Sequence, residues 1–150
     1  MNVDRVRKQL EIDEGVVYEI YSDHLGYPTF GIGHLVKKDD PEFGLMFGDS
    51  VSKERVQEAF EADLTVACSE CSVLYNSDWD QFPEEVQEIL VNMMFNLGRP
   101  RLTKFKKMNA NLRNRNWTAA ATEGRDSLWY RQVSNRAERL MTRMENVTDR

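Results

Sequence analysis

Between Val16 and Leu35 the chain abandons the helical spacing that governs nearly all the rest of it. Val17, Tyr18, Ile20, Tyr21, Tyr27, Thr29, Phe30 and Ile32 are strand formers, and Asp23, Gly26, Pro28, Gly31 and Gly33 cut them into short runs. β-Branched and aromatic residues punctuated this densely predict a small antiparallel sheet with tight turns. One such island in an otherwise helical chain sets the class as α+β, mostly helical.

The flanks carry helical signals. Val3, Val6 and Leu10 make the apolar stripe of a short helix from Asn2 to about Asp13, which Gly15 breaks. Residues 37 to 50 read as a loop with a helical turn after Pro41. Ser52 is an N-cap candidate, and Val56, Phe60, Leu64, Ala67 and Cys71 continue at helical spacing, so one long helix is expected to about Leu74. Pro83 and Gly98 bracket the next helix, with Val86, Ile89, Leu90, Met93 and Leu97 as its buried stripe. Beyond Pro100 come three or four shorter helical patterns, with Phe105, Leu112, Trp117, Ala120, Trp129, Tyr130, Leu140 and Met144 as core candidates. No internal repeat or low-complexity tract interrupts them. The expected layout is one domain over residues 1–150: a sheet lobe at about 14–51, a connecting helix at about 52–74, and a helical lobe at about 75–150 joined by the N-terminal helix 1–13.

Composition narrows the function classes. Charged residues at 30% and hydrophobic residues at 41% are ordinary globular usage and exclude disorder, collagen and coiled coil as the whole answer. A chain this long buries roughly 68–70% of its unfolded surface and needs no disulfide or metal staple. The apolar stretches, Val16–Val17 and Ile89–Val91 among them, are far short of the about 18 residues of a membrane span. Cys68 and Cys71 form a lone C-x-x-C, and His24 and His34 lie too far upstream to complete a zinc set; two reduced thiols on successive helical turns are expected, with no metal. The net charge of −5 hides an asymmetry, because acids dominate the first hundred residues and bases the last fifty. A basic face suits a polyanion. An internal or solvated role is the preferred reading, since no nucleic-acid motif accompanies it.

Chemistry is sought first among carboxylates. With 25 acids in 150 residues, spacing alone says nothing about Glu14 and Asp23. Their setting says more: Glu14 closes a helix just before Gly15, and Asp23 sits in the turn that ends the first strand. Element ends of this kind often display functional groups. A carboxylate is also unfavourable at a helix C-terminus, which argues against a purely structural Glu14.

Ile12-Asp13-Glu14-Gly15, followed by Ile20-Tyr21, Asp23, Gly26-Tyr27, Thr29 and Gly31-Ile32-Gly33-His34, resembles the phage-type lysozymes, the muramidases of T-even and related tailed phages in glycoside hydrolase family 24. The resemblance continues through Asn92-Met93-Met94-Phe95-Asn96-Leu97-Gly98, Phe105, Trp117, Gly124–Tyr130 and Asn135-Arg136-Ala137, and so covers nearly the whole chain. The Gly124–Tyr130 run is most similar to the lysozyme domain of T-even baseplate proteins.

The resemblance implies a two-lobed fold with the cleft between a sheet lobe and a helical lobe. It implies hydrolysis of the β-1,4 bond between N-acetylmuramic acid and N-acetylglucosamine with inversion, for which carboxyl groups stand about 6.5–9.5 Å apart around a water. By resemblance Glu14 is the general acid, Asp23 the carboxylate that activates water and Thr29 the hydroxyl that helps hold it. His34 pairs with Asp63 as a structural tie, and Arg136 matches an arginine near the general acid. Leu35, Phe95, Met108 and Glu123 occupy sugar-groove positions; Met108 stands where serine is familiar and Glu123 where asparagine is. His24 and Leu25 also depart from the commonest residues beside Asp23. The implied partner is peptidoglycan, with no cofactor, no nucleic acid, no stable membrane insertion and a monomeric state. Residues 1–8 lack the apolar core of a secretory signal, so the expectation is a protein held in the host cytoplasm until released to the wall.

Plainer roles stand beside these. Asp23 suits an Asx turn, Thr29 an ordinary strand, Arg136 the surface, and Leu35 and Phe95 the core. The rival function is a catalytically silent peptidoglycan-binding module of a phage tail, which would not respond to Glu14→Gln.

Overall fold

A computed structural model describes residues 1–148. The predicted class is the one observed: a mostly helical fold with one small antiparallel three-stranded sheet. Two units emerge. One is Arg7–Val66; the other combines Met1–Val6 with the chain from Ala67 onward.

In the sheet unit, α1 (Val3–Glu14) runs into β1 (Val17–Ser22), β2 (Pro28–Gly31) and β3 (His34–Leu35), paired in that order. β1 sets Val17 opposite Gly31, Tyr21 opposite Thr29 and Ser22 opposite Pro28, with a register irregularity between Val17 and Tyr21. β2 sets Thr29 opposite Leu35 and Phe30 opposite His34. The far edge of β1 is occupied too. Ile20 N–H donates to the Asp49 carbonyl at 2.9 Å, and Val51 N–H donates to that of Tyr18 at 2.9 Å, which blunts an otherwise open edge.

The segment 37–50 is the expected loop, and a turn does follow Pro41. Charge pins it. Arg55 donates through Nε and Nη2 to the two oxygens of Glu42 at 2.9 and 3.0 Å, and Glu42 is buried. α2 (Lys53–Tyr75) starts as its cap predicts, with Ser52 Oγ accepting from Arg55 N–H at 3.1 Å. Val56, Phe60, Leu64, Ala67 and Cys71 are all buried, as their spacing requires.

In the helical unit, α3 (Glu84–Leu97) differs from its prediction. Its expected stripe is buried, but so are Glu88, Val91, Asn92 and Met94. A helix apolar on nearly every side is enclosed, not laid on a surface. Glu88 is tolerated there because Arg5 clamps it from α1 at 2.7 and 2.6 Å. Val3, expected in the α1 stripe, is exposed; Val6 and Leu10 carry the burial.

Among the described residues, five helices follow α3: α4 (Arg99–Thr103), α5 (Lys106–Arg113), α6 (Trp117–Arg125), α7 (Leu128–Gln132) and α8 (Ser134–Glu145). The sequence predicts three or four, because α4 and α7 have five residues each, too few for periodicity to register. Asn116 and Ser127 cap α6 and α7, each accepting a backbone N–H at 3.1 Å. Tyr75, Trp79, Phe82 and Trp117 form an aromatic cluster with successive centroids 6.2, 6.4 and 6.0 Å apart. Of the core candidates, Phe105 and Tyr130 are only half-buried. Cys68 and Cys71 are free thiols on α2, and burial pushes both above the usual thiol range. Among the described residues, no helix is long and apolar enough to cross a membrane.

Candidate functional site

Glu14 is the last residue of α1, where the helix closes with Gly15 N–H donating to the Glu11 carbonyl at 3.0 Å. Its half-buried side chain reaches the β2–β3 turn. A Cβ built on Gly33 would lie 2.6 Å from Glu14 Oε1, so the carboxyl group rests directly against that glycine.

Asp23 follows β1 and organises its own turn. Oδ1 accepts the N–H groups of Leu25 and Tyr27 at 2.9 and 2.8 Å, while its N–H donates to the Tyr27 carbonyl at 3.0 Å. The Asx-turn role is therefore real, and it uses one oxygen of the two. A carboxylate fixed by its own turn is aimed without help from distant packing. Thr29 is buried on β2. Its Oγ1 donates to the Tyr27 carbonyl at 3.1 Å, which commits the hydroxyl proton and turns the oxygen lone pairs into acceptors.

Cross-strand partners project to one face of a sheet. Tyr21 opposite Thr29 and Thr29 opposite Leu35 therefore form a row across all three strands. Leu35 ends the row 47% exposed, as a groove-lining residue would be. Tyr21 reports on both acids: burial first, then the charges of Glu14 and Asp23, hold its hydroxyl above the usual phenol range.

His34, across from Phe30, is buried. Nδ1 meets Asp63 at 2.7 Å, as the resemblance implies, and Nε2 meets Asp40 at 2.8 Å. Ionised carboxylates only accept, so this arrangement favours the imidazolium, in which both ring nitrogens donate. Burial opposes that charge, but the hydrogen bonds and charges of Asp63 and Asp40 outweigh it and raise the His34 pKa. Arg55 reaches Asp40 at 3.3 Å and lies over the Phe30 ring at 5.6 Å, linking the loop clamp to the histidine.

The remaining candidates belong to the helical unit. Arg136 donates to Asn92 Oδ1 at 2.9 Å and to its carbonyl at 3.3 Å. Phe95 is half-buried on α3. Met108 and Glu123 come together around a cavity of about 570 Å³, with Phe105, Trp129, Lys104 and Lys107 also in its walls. Trp129 is oriented there by its Nε1 donating to Asn96 at 2.8 Å. Among the described residues, no group of three or more His, Cys, Asp or Glu side chains could hold a metal ion.

Sequence reasoning named Glu14 and Asp23 as candidate acids but not their neighbours. Tyr21 and Gly33 were legible as a strand former, a turn former and members of the family motif, with no contact assigned to either. Asp40 and Arg55 carried no signal, because neither a loop acid nor a helix-surface arginine is unusual.

With this geometry in place, comparison with known proteins assigns the class. The chain matches the phage lysozyme family over residues 11–146 and belongs to it. It is 30% identical over 150 aligned positions to the pre-baseplate central spike protein Gp5 of Enterobacteria phage T4, spanning 89% of this chain and only 26% of that protein's length. Two probable T4-type lysozymes of Dictyostelium discoideum, numbers 2 and 1, are each 27% identical over 97% of this chain and 96% of their own.

Proposed function

We propose that this chain is a muramidase (EC 3.2.1.17) of glycoside hydrolase family 24, a single lysozyme domain cleaving the β-1,4 bond between N-acetylmuramic acid and N-acetylglucosamine with inversion. Membership of the phage lysozyme family supports peptidoglycan hydrolysis in general. The observation that carries the finer reading is geometric: Asp23 is aimed by its own turn at the end of β1, Glu14 lies against the β2–β3 turn, and the Tyr21–Thr29–Leu35 row crosses the same strands.

The roles follow from the chemistry. Glu14, protonated, gives its proton to the leaving glycosidic oxygen as that bond breaks. A water on the opposite face of the sugar attacks the anomeric carbon and passes its proton to Asp23. Asp23 spends Oδ1 on its turn, which directs Oδ2 to that water. Thr29 Oγ1, with its proton already given to Tyr27, accepts from the same water. Leu35 offers apolar surface to the sugar; the cavity lined by Met108 and Glu123 is a second candidate sugar-binding surface. Two carboxylates and a water complete the reaction without a cofactor.

The test is clearing of outer-membrane-permeabilised Gram-negative cells by the wild type beside Glu14→Gln. The proposal expects clearing by the wild type alone. Clearing by both overturns Glu14 as the acid. Clearing by neither, with both folded, leaves a wall-binding tail module as the better reading.

A further inference from the structure

Gly31 and Gly33 flank Ile32 in the β2–β3 turn, and both have φ of +66°. An L side chain at either site meets the same left-handed backbone strain. Their surroundings are different. A Cβ on Gly31 would stand 3.1 Å from Val56 Cγ1, a tight apolar contact that a small side-chain adjustment relieves. A Cβ on Gly33 would stand 2.6 Å from Glu14 Oε1, 3.2 Å from its Cδ and 3.4 Å from its Cγ. No carbon tolerates the first of these distances, so one partner has to move.

A backbone shift carries the whole turn with it, whereas a side-chain end shifts alone. The turn is fixed on its far side by the Phe30–His34 pairing, and His34 is fixed by Asp40 and Asp63. The Glu14 carboxyl is the end of a side chain with three rotatable bonds. We propose that Gly33 is a positioning residue for Glu14: its missing side chain is the space the acid occupies, and a methyl group there displaces the carboxyl while leaving the turn folded. This inference rests on the reading of Glu14 as the general acid. It explains the second glycine of Gly31-Ile32-Gly33 by more than turn geometry. Proton transfer is intolerant of such displacement, since a misplacement of about 1 Å costs on the order of 10²-fold in rate.

The twin glycine supplies the control. Gly33→Ala and Gly31→Ala both place an L side chain at φ of +66°, so both lower the melting temperature by a few degrees. Only Gly33→Ala is expected to lower kcat, on the order of 10²-fold with KM little changed; Gly31→Ala stays within a few-fold of wild type. Glu14→Asp draws the carboxyl back by one methylene. It is therefore expected to cost less activity in the Gly33→Ala background than in wild type, and to be additive with Gly31→Ala. A readout independent of turnover is the Glu14 carboxyl ¹³C resonance, assigned by its loss in Glu14→Gln, which moves in Gly33→Ala and not in Gly31→Ala. Should Gly33→Ala fail to fold, Gly33→Asn places a Cβ at the same point on a residue more tolerant of positive φ. Equal activity losses in the two alanine variants with an unmoved Glu14 resonance would overturn the proposal. A moved resonance in an enzyme whose Glu14→Gln form still clears cells would uphold the contact and instead defeat the acid assignment.

Discussion

In the sheet unit, the groups that fix the backbone are charged. His34 lies between Asp40 and Asp63, Arg55 spans Asp40 and Glu42, and Arg7 meets Glu61 at 2.7 Å. The helical unit has ion pairs as well, such as Arg125 with Glu138 and Glu145, but it adds an apolar helix, α3, buried on almost every side, and the aromatic cluster of Tyr75, Trp79, Phe82 and Trp117. The difference has a physical source. The three short strands bury only a few side chains, so directional bonds must specify their turns. A helix enclosed by others gains enough from burial to tolerate a polar group such as Glu88 when an arginine reaches it. The candidate acids sit in the sheet unit, where hydrogen bonds aim Asp23 and a turn glycine lies against Glu14.

The contrast can be broken most forcefully at Glu14. Glu14→Gln is expected to lower turnover by on the order of 10²–10⁴-fold while the melting temperature barely changes; a large loss of stability would make Glu14 a structural group. Next comes the core of the other unit. Ile89→Ala empties a fully buried site in α3 and should cost about 2–5 kcal/mol in denaturant melts, with activity per folded molecule retained.

A smaller effect separates the units by pH. His34 has a raised folded pKa, so its contribution to stability is complete below the unfolded value of about 6.5 and is lost as pH rises through the folded value. In Asp40, burial works against ionisation, yet the hydrogen bond from His34 and the Lys37 N–H hold its pKa below the usual range. Its contribution is complete above the unfolded value of about 3.9 and is lost as pH falls through the folded one. Thermal melts across pH should show a plateau between these limbs. Asp40→Asn should remove about 1.5–3 kcal/mol at neutral pH and flatten the alkaline limb; an unchanged limb would leave Asp63 as the only partner that matters. The smallest effect is at the caps. Ser52→Ala and Asn116→Ala should each cost about 1 kcal/mol, and equal values would show that local capping is indifferent to how the surrounding unit is held.

Much of this molecule was legible from residue spacing. The long helix begins at its cap and buries every residue of its stripe, and the glycine-punctuated segment folds as the antiparallel sheet it resembles. The local setting of the two candidate acids was legible too: Glu14 ends α1, and Asp23 hydrogen-bonds within its own turn. What stayed hidden was of another kind. Nothing in Lys37–Asp40 marks Asp40 as the second partner of His34, and nothing in Glu84–Leu97 separates a helix with one buried face from one enclosed all round.

The sequence by itself determined the class, the order of the elements and the chemistry on offer, because helical periodicity, capping and turn formation are set by neighbours within a few positions. Only the tertiary structure decided that Tyr21, Thr29 and Leu35 stand in one row, that His34 is held at both nitrogens, and that Gly33 makes room for Glu14. Each of those depends on strand register or on chain closure between segments far apart in sequence, and a single-residue slip in register would turn the row to the opposite face.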